Sequence, residues 1–109
     1  MKRLRRRMIA FHLRLKIREA KGPEIRQTLK SLGRNIRARK GCKRFSFYVR
    51  ARDHKGMMVQ IWEDRTSLNG YLRSHEHKVL LGAITTLCSG CTVRFGSHPD
   101  APELDEAVR

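Results

Sequence analysis

Every second residue from Ile9 to Ile17 is large and apolar: Ile9, Phe11, Leu13, Leu15 and Ile17, with Ala10, His12, Arg14 and Lys16 between them. A period of two fits a β-strand, whose side chains alternate between faces, and does not fit a helix. One face of this strand must therefore meet a core, and the rest of the chain has to supply it. Pro23 suits a first helical residue, and Ile25, Leu29, Leu32 and Ile36 then recur at helical spacing. Arg26, Lys30, Arg34 and Arg37 lie on the wet side of this helix, which Gly41 ends after a basic last turn.

Residues 42–51 (CKRFSFYVRA) and 57–63 (MMVQIWE) are rich in aromatic and β-branched residues and are separated by RDHKG, the pattern of a hairpin. Both of these strands carry large apolar groups on both faces: Phe45, Phe47 and Val49 opposite Tyr48, and Val59 and Ile61 opposite Met58 and Trp62. A second helix starts near Arg65 or Thr66, with Leu68, Tyr71, Leu72, Val79, Leu80, Ala83, Ile84 and Leu87 as its apolar stripe and a bend or break expected around Ser74. Gly90 supplies a stop and CTVRFG a short last strand.

The order β, α, β, β, α, β is the ferredoxin-like arrangement, an α+β fold with a four-stranded antiparallel sheet and two helices on one face. The other face is left bare, yet the strands are apolar on both sides. With 109 residues, 39% of them hydrophobic and 32% charged, the chain has one small core, and a second copy of itself is the simplest cover for the bare face. The expected organisation is a basic extension over residues 1–7, a domain over 8–96 and an acidic, Pro-containing flexible tail over 97–109. Met8 is an alternative start.

Residues 1–44 carry seventeen Lys/Arg against Glu19 and Glu24, a net of +15, whereas residues 45–109 carry eight of each sign. Such asymmetry raises nucleic-acid binding by counterion release, set against a plainly solvated helix face. Basic residues interleaved with stacking aromatics, as single-strand binders use, are not seen in this stretch. Three cysteines suggest no disulfide framework and fit a reducing cytoplasm. No apolar run approaches the ~20 residues of a membrane span.

The run GCKRFSFYVRARDHKGMMVQIWEDRTSLNGYLRSHEHKVLLGAITTL resembles the antibiotic biosynthesis monooxygenase (ABM) superfamily. The pattern is a Gly-Cys opening strand two, a Trp ending strand three, and a helix with Leu-x-Ser followed by Leu-Leu-Gly-Ala. The resemblance implies a dimeric α+β barrel of two sheets with helices outside. It also implies a Trp62 pocket and, for the quinol-oxidising branch, a cofactor-free monooxygenase acting on an electron-rich aromatic. The family's haem-ligating histidine falls at about Leu81 and its strand-one asparagine at Phe11 or Leu13, so haem degradation is not implied. The anthrone branch's asparagine and tyrosine align near Met58 and Leu68, and the quinol branch's histidine aligns at Tyr71.

Gln60 and Met58 share the face of Trp62, and Tyr71 on the second helix approaches it; these four form the expected substrate pocket. His12 on strand one is a general-base candidate if its side opens into a cavity. His75 continues the Leu68–Tyr71–Leu72 stripe and is the other weak catalytic candidate, while His77 is expected to point out. Residues two apart on a helix differ by about 200°, so the two histidines cannot share a metal, and neither metal nor cofactor is expected. Cys88-Ser-Gly-Cys91 matches C-x-x-C, but Cys88 closes a helix, where the dipole opposes a thiolate. The chain has no Ser/His/Asp order, paired carboxylates or phosphate-binding Gly-rich loop. Three functions stand: a cofactor-independent monooxygenase in a homodimer, a non-catalytic binding or interaction module, and a basic nucleic-acid-binding module.

Overall fold

The computed structural model describes residues 8–98. Strand β1 (Met8–Ile17) lies inside a four-stranded sheet of order β2-β3-β1-β4, flanked by β3 (Lys55–Trp62) and β4 (Cys88–His98), with β2 (Cys42–Arg50) on the β3 edge. All neighbours are antiparallel. Helix α1 (Gly22–Arg37) connects β1 to β2, and α2 (Arg65–Leu72) and α3 (His75–Leu87) connect β3 to β4. This is the ferredoxin-like arrangement expected from the sequence. Among the described residues, no helix is long and apolar enough to cross a membrane.

One core lies between the sheet and the helices. Phe11, Leu13, Leu15 and Ile17 of β1 pack there with Ile25, Leu29 and Ile36 of α1 and Leu80, Ile84 and Leu87 of α3. The α1 stripe and the β1 alternation thus meet as their periods require. On the opposite side of β1 only Arg14 and Lys16 are exposed; Ala10 and His12 are buried. The half-wet reading of β1 therefore needs correction over its first half, where the short Ala10 side chain lies between Ile61 and Gly96 and His12 between Val59 and Arg94.

The second helix divides in two. The Asp64 side chain caps α2 by accepting from the Ser67 amide at 2.9 Å. Ser74 stands extended and caps α3, its Oγ accepting from the His77 amide at 3.2 Å and donating to the Tyr71 carbonyl at 2.6 Å. A serine side chain that bonds both the preceding carbonyl and the following amide ends one helix and starts the next.

Both expected glycine stops fall elsewhere. Helix α1 ends at Arg37, ahead of Gly41, and α3 ends at Leu87. Cys88 is already extended, so β4 is long and Gly90 lies within it beside Lys16. Strand β4 also takes in Ser97 and His98, two residues of the expected tail. The basic extension and the rest of the acidic tail lie outside the described residues.

Gly41 has another task. Its φ is +93°, its carbonyl accepts from the Glu63 amide at 2.7 Å, and a β-carbon there would land on the Ser67 side chain. Gly41→Ala should therefore cost about 2–4 kcal/mol, from left-handed strain plus overlap at the α2 cap. A lowered urea midpoint at unchanged slope would show it.

Candidate functional site

Met58, Gln60 and Trp62 alternate along β3, so all three point toward the helices, and Tyr71 of α2 closes over them. Each is fully buried. The Tyr71 ring stacks on Trp62 with centroids 5.1 Å apart and planes 23° from parallel. The structure thus brings together the four expected pocket residues, and their own contacts fill the space between them.

Their polar atoms form a chain with a fixed direction. An indole nitrogen can only donate, so the Gln60 atom 2.8 Å from Trp62 Nε1 must be the carbonyl Oε1. Gln60 Nε2 then faces the Tyr71 hydroxyl at 3.1 Å and donates to its oxygen, with Met58 Sδ as a weaker acceptor at 3.4 Å. Because the Tyr71 oxygen already accepts from Gln60, its proton is free to point at His77 Nδ1, 3.1 Å away. With His77 accepting there, the imidazole is neutral with its proton on Nε2, the tautomer that continues the chain in one direction.

Burial acts in the same sense at both ends of that last bond. It pushes the Tyr71 hydroxyl up to about 12, against the opposing Gln60 hydrogen bond, and holds the His77 imidazole below its ordinary value. Both groups are therefore neutral near pH 7, and His77 is poised as an acceptor.

This geometry corrects the assignment of the two helix histidines. His75 is exposed at the start of α3, whereas His77 is buried against the ring of Tyr71 at 4.9 Å and the ring of Phe11 at 5.8 Å. The sequence reading carried one helical phase through Ser74; the break there resets the phase and exchanges the two roles. The two-residue spacing still places them on opposite faces. His12 is also misplaced for the expected base: it lies on the other side of the sheet from Trp62, beside Val59 and Arg94. Sequence reasoning missed His77 and Phe11 as partners of Tyr71. The available signal was Ser74 followed by Glu76 and His77, a helix-start pattern that would have placed His77 on the inner face.

A further ring extends the buried group toward the surface. Phe95 of β4 stacks on Phe11 at 4.9 Å and 10°, and is about half exposed (46%). Cys88 is buried at the end of α3 and Cys91 is exposed on β4; burial pushes both thiols up, which disfavours thiolate chemistry. Among the described residues, no three His, Cys, Asp or Glu side chains converge to hold a metal ion.

A depressed histidine has a definite consequence for stability. Below about pH 6.5 the unfolded chain takes up a proton at this position that the native chain refuses, so the stabilisation present at higher pH is lost as pH falls through the native value. Urea unfolding at descending pH should show this loss in the parent and a shallower one in His77→Gln, which does not titrate.

The family model for antibiotic biosynthesis monooxygenase matches residues 8–81, well over half of the chain and including β1, the hairpin, Trp62 and the Tyr71–His77 contact. The chain belongs to this family. No curated protein matches the sequence. Solved structures share the ABM-type fold at low identity. A Nitrosomonas europaea protein described as a putative antibiotic biosynthesis monooxygenase superposes with a TM-score of 0.78 at 7% identity, over 91% of this chain and 97% of its own. A Bacteroides thetaiotaomicron protein of unknown function, described as a possible oxidoreductase, gives 0.77 at 15%, over 86% and 100%. A Shewanella oneidensis protein gives 0.76 at 15%, over 88% and 95%.

Proposed function

We propose that this ABM protein is a cofactor-independent monooxygenase of a quinol-like, electron-rich aromatic, with Trp62, Gln60, Met58 and Tyr71 around the substrate and His77 as the proton acceptor. The observation that carries this reading is the hydrogen-bonded chain from Trp62 through Gln60 and Tyr71 to His77, an imidazole that burial holds below its ordinary pKa. Deprotonating a quinol makes it electron-rich enough to reduce oxygen. One oxygen atom then enters the ring and the other leaves as water, and the substrate supplies all four electrons. The chain's share is to exclude water, orient the ring and remove the proton: Tyr71 takes it on oxygen while passing its own to His77 Nδ1. Because Trp62 and Tyr71 are stacked, they must part for a substrate to enter.

The second reading, a non-catalytic binding or interaction module, is favoured by that same closed packing. An oxygen electrode separates the two. Metal-free protein given a panel of quinols should consume oxygen above the autoxidation rate, and His77→Gln and Trp62→Phe should each abolish most of the excess. Parent rates equal to background across the panel would leave only the second reading.

The assembly we propose is a homodimer through the open sheet face, a pairing supported by membership of this family. Its centre would be where Ala10, Ser46, Val59 and Ile61 lie side by side, with Arg44 and Arg94 at the two outer strands. Three free cysteines support a reducing, cytoplasmic setting.

A further inference from the structure

One side of α1 is committed to the core, where Ile25, Leu29 and Ile36 are buried. The outward side carries a different pattern. Arg26, Lys30 and Arg34 recur every fourth residue and Arg37 follows at three, so the four cations fall within an arc of about 80° along roughly 16 Å of helix. All four are exposed. Gln27, Ser31 and Asn35, also exposed, form a neutral row beside them.

A helix face that meets only water ordinarily interleaves acids and bases, because like charges four residues apart repel and opposite ones attract. This face does not. Glu24 is the one acid of α1, and Lys21 already holds it at 3.4 Å. Arg26, Lys30 and Arg34 make no ion pair among the described residues. Arg37 is fixed at the end of the row: its Nη2 donates to the Phe45 carbonyl at 3.1 Å, and its guanidinium lies 5.5 Å from the centre of the Phe45 ring. The outward face of α1 is thus a line of uncompensated positive charge. It points away from the sheet, and so away from both the Trp62 cluster and the open sheet face of the proposed homodimer.

The side chains between the cations select the partner. A membrane surface would take apolar side chains from the helix, and the large apolar residues of α1 already face the core. A single strand of nucleic acid would stack on aromatic rings, and α1 has none. A protein partner would need an apolar or aromatic anchor at the centre of the contact, where α1 offers Gln27, Ser31 and Asn35. A nucleic-acid duplex needs none of these. It presents one charge per ~1.7 Å of axis, and its phosphate oxygens accept from Arg, Lys, Gln, Ser and Asn alike.

We infer that the outward face of α1 binds the backbone of a nucleic-acid duplex, with phosphates on Arg26, Lys30, Arg34 and Arg37 and neutral donors from Gln27, Ser31 and Asn35. This binding is independent of the oxygenase reading, because it uses no residue of the Trp62 cluster.

The test is fluorescence anisotropy of a labelled DNA duplex of about 20 base pairs, titrated with the full chain between about 50 and 200 mM salt. The parent should bind with a log–log salt slope of about 3–4 in magnitude. Arg26→Gln/Lys30→Gln/Arg34→Gln should bind at least about tenfold more weakly and lower that slope by about 2.7, at ~0.9 per lost phosphate contact. The control Arg65→Gln/Arg73→Gln/Lys78→Gln removes the same charge from α2, α3 and their junction. Its affinity should stay within about threefold of the parent, since exposed charges away from the contact act only through screening solvent. The basic residues among 1–7 are the same in all three proteins, so the difference between the triple variants reads α1 alone. All six positions are exposed, and glutamine keeps helix propensity, so the variants fold; removing like charges from α1 should leave its urea midpoint at or above the parent's.

No binding at low salt, or equal losses in the two triple variants, would overturn the inference. So would a single strand of the same length bound as tightly as the duplex. Anionic vesicles or polyglutamate bound more tightly than the duplex, with the same dependence on Arg26, Lys30 and Arg34, would overturn it in favour of a membrane surface or an acidic protein.

Discussion

Trp62→Ala should lower the unfolding free energy by about 3–5 kcal/mol, a large share of the ~5–15 kcal/mol available to a domain of this kind. The indole is fully buried and supplies one side of the Tyr71 stack, so its loss opens a cavity that the sheet and α2 cannot readily close. It also strips Gln60 Oε1 of its donor. Trp62→Phe keeps most of the apolar volume and loses only the N–H, so it should cost clearly less. Urea unfolding of the two variants should preserve that order, and equal losses would mean that the indole's packing contributes little.

Gln60→Leu should cost about 2–4 kcal/mol although leucine is the more apolar residue. The amide joins two otherwise separate groups, and its removal leaves the Trp62 N–H buried with no acceptor and the Tyr71 oxygen with no donor. The distinguishing feature is non-additivity. In Gln60→Leu/Trp62→Phe the orphaned indole donor is gone as well, so the double variant should be about 1–2 kcal/mol more stable than the sum of the single losses. Strict additivity in the urea cycle would mean that the two side chains are energetically independent and that the chain of bonds carries no stability.

The parts of the fold that the sequence made legible are those set by period. The alternation of β1, the 4, 3, 4 spacing of α1 and the hairpin punctuation each depend on residues close in sequence, and all three appear in the structure. The glycines misled because glycine marks a backbone need without naming it. Gly41 serves a left-handed turn against the α2 cap, well past the end of α1, and Gly90 lies inside a strand.

The site was legible on the strand and less so on the helices. Period two along β3 places Met58, Gln60 and Trp62 on one face with no ambiguity. Along α2 and α3, a break of two residues at Arg73–Ser74 shifts the phase of everything after it, which exchanged His75 with His77. The direction of the polar chain is a tertiary property: it depends on the contact between β3 and α2 and on an indole that can only donate.

Both the stability of the site and the proposed role of His77 rest on the direction of that chain, and nitrogen NMR of the histidine ring reads it directly. In ¹⁵N-labelled protein near pH 7, assigned by comparison with His77→Gln, the His77 ring should show a protonated Nε2 and an unprotonated, hydrogen-bonded Nδ1, with Nδ1 shifting when Tyr71→Phe removes its donor. A His77 protonated on Nδ1, or a charged imidazolium at that pH, would reverse the Tyr71 bond and contradict the account.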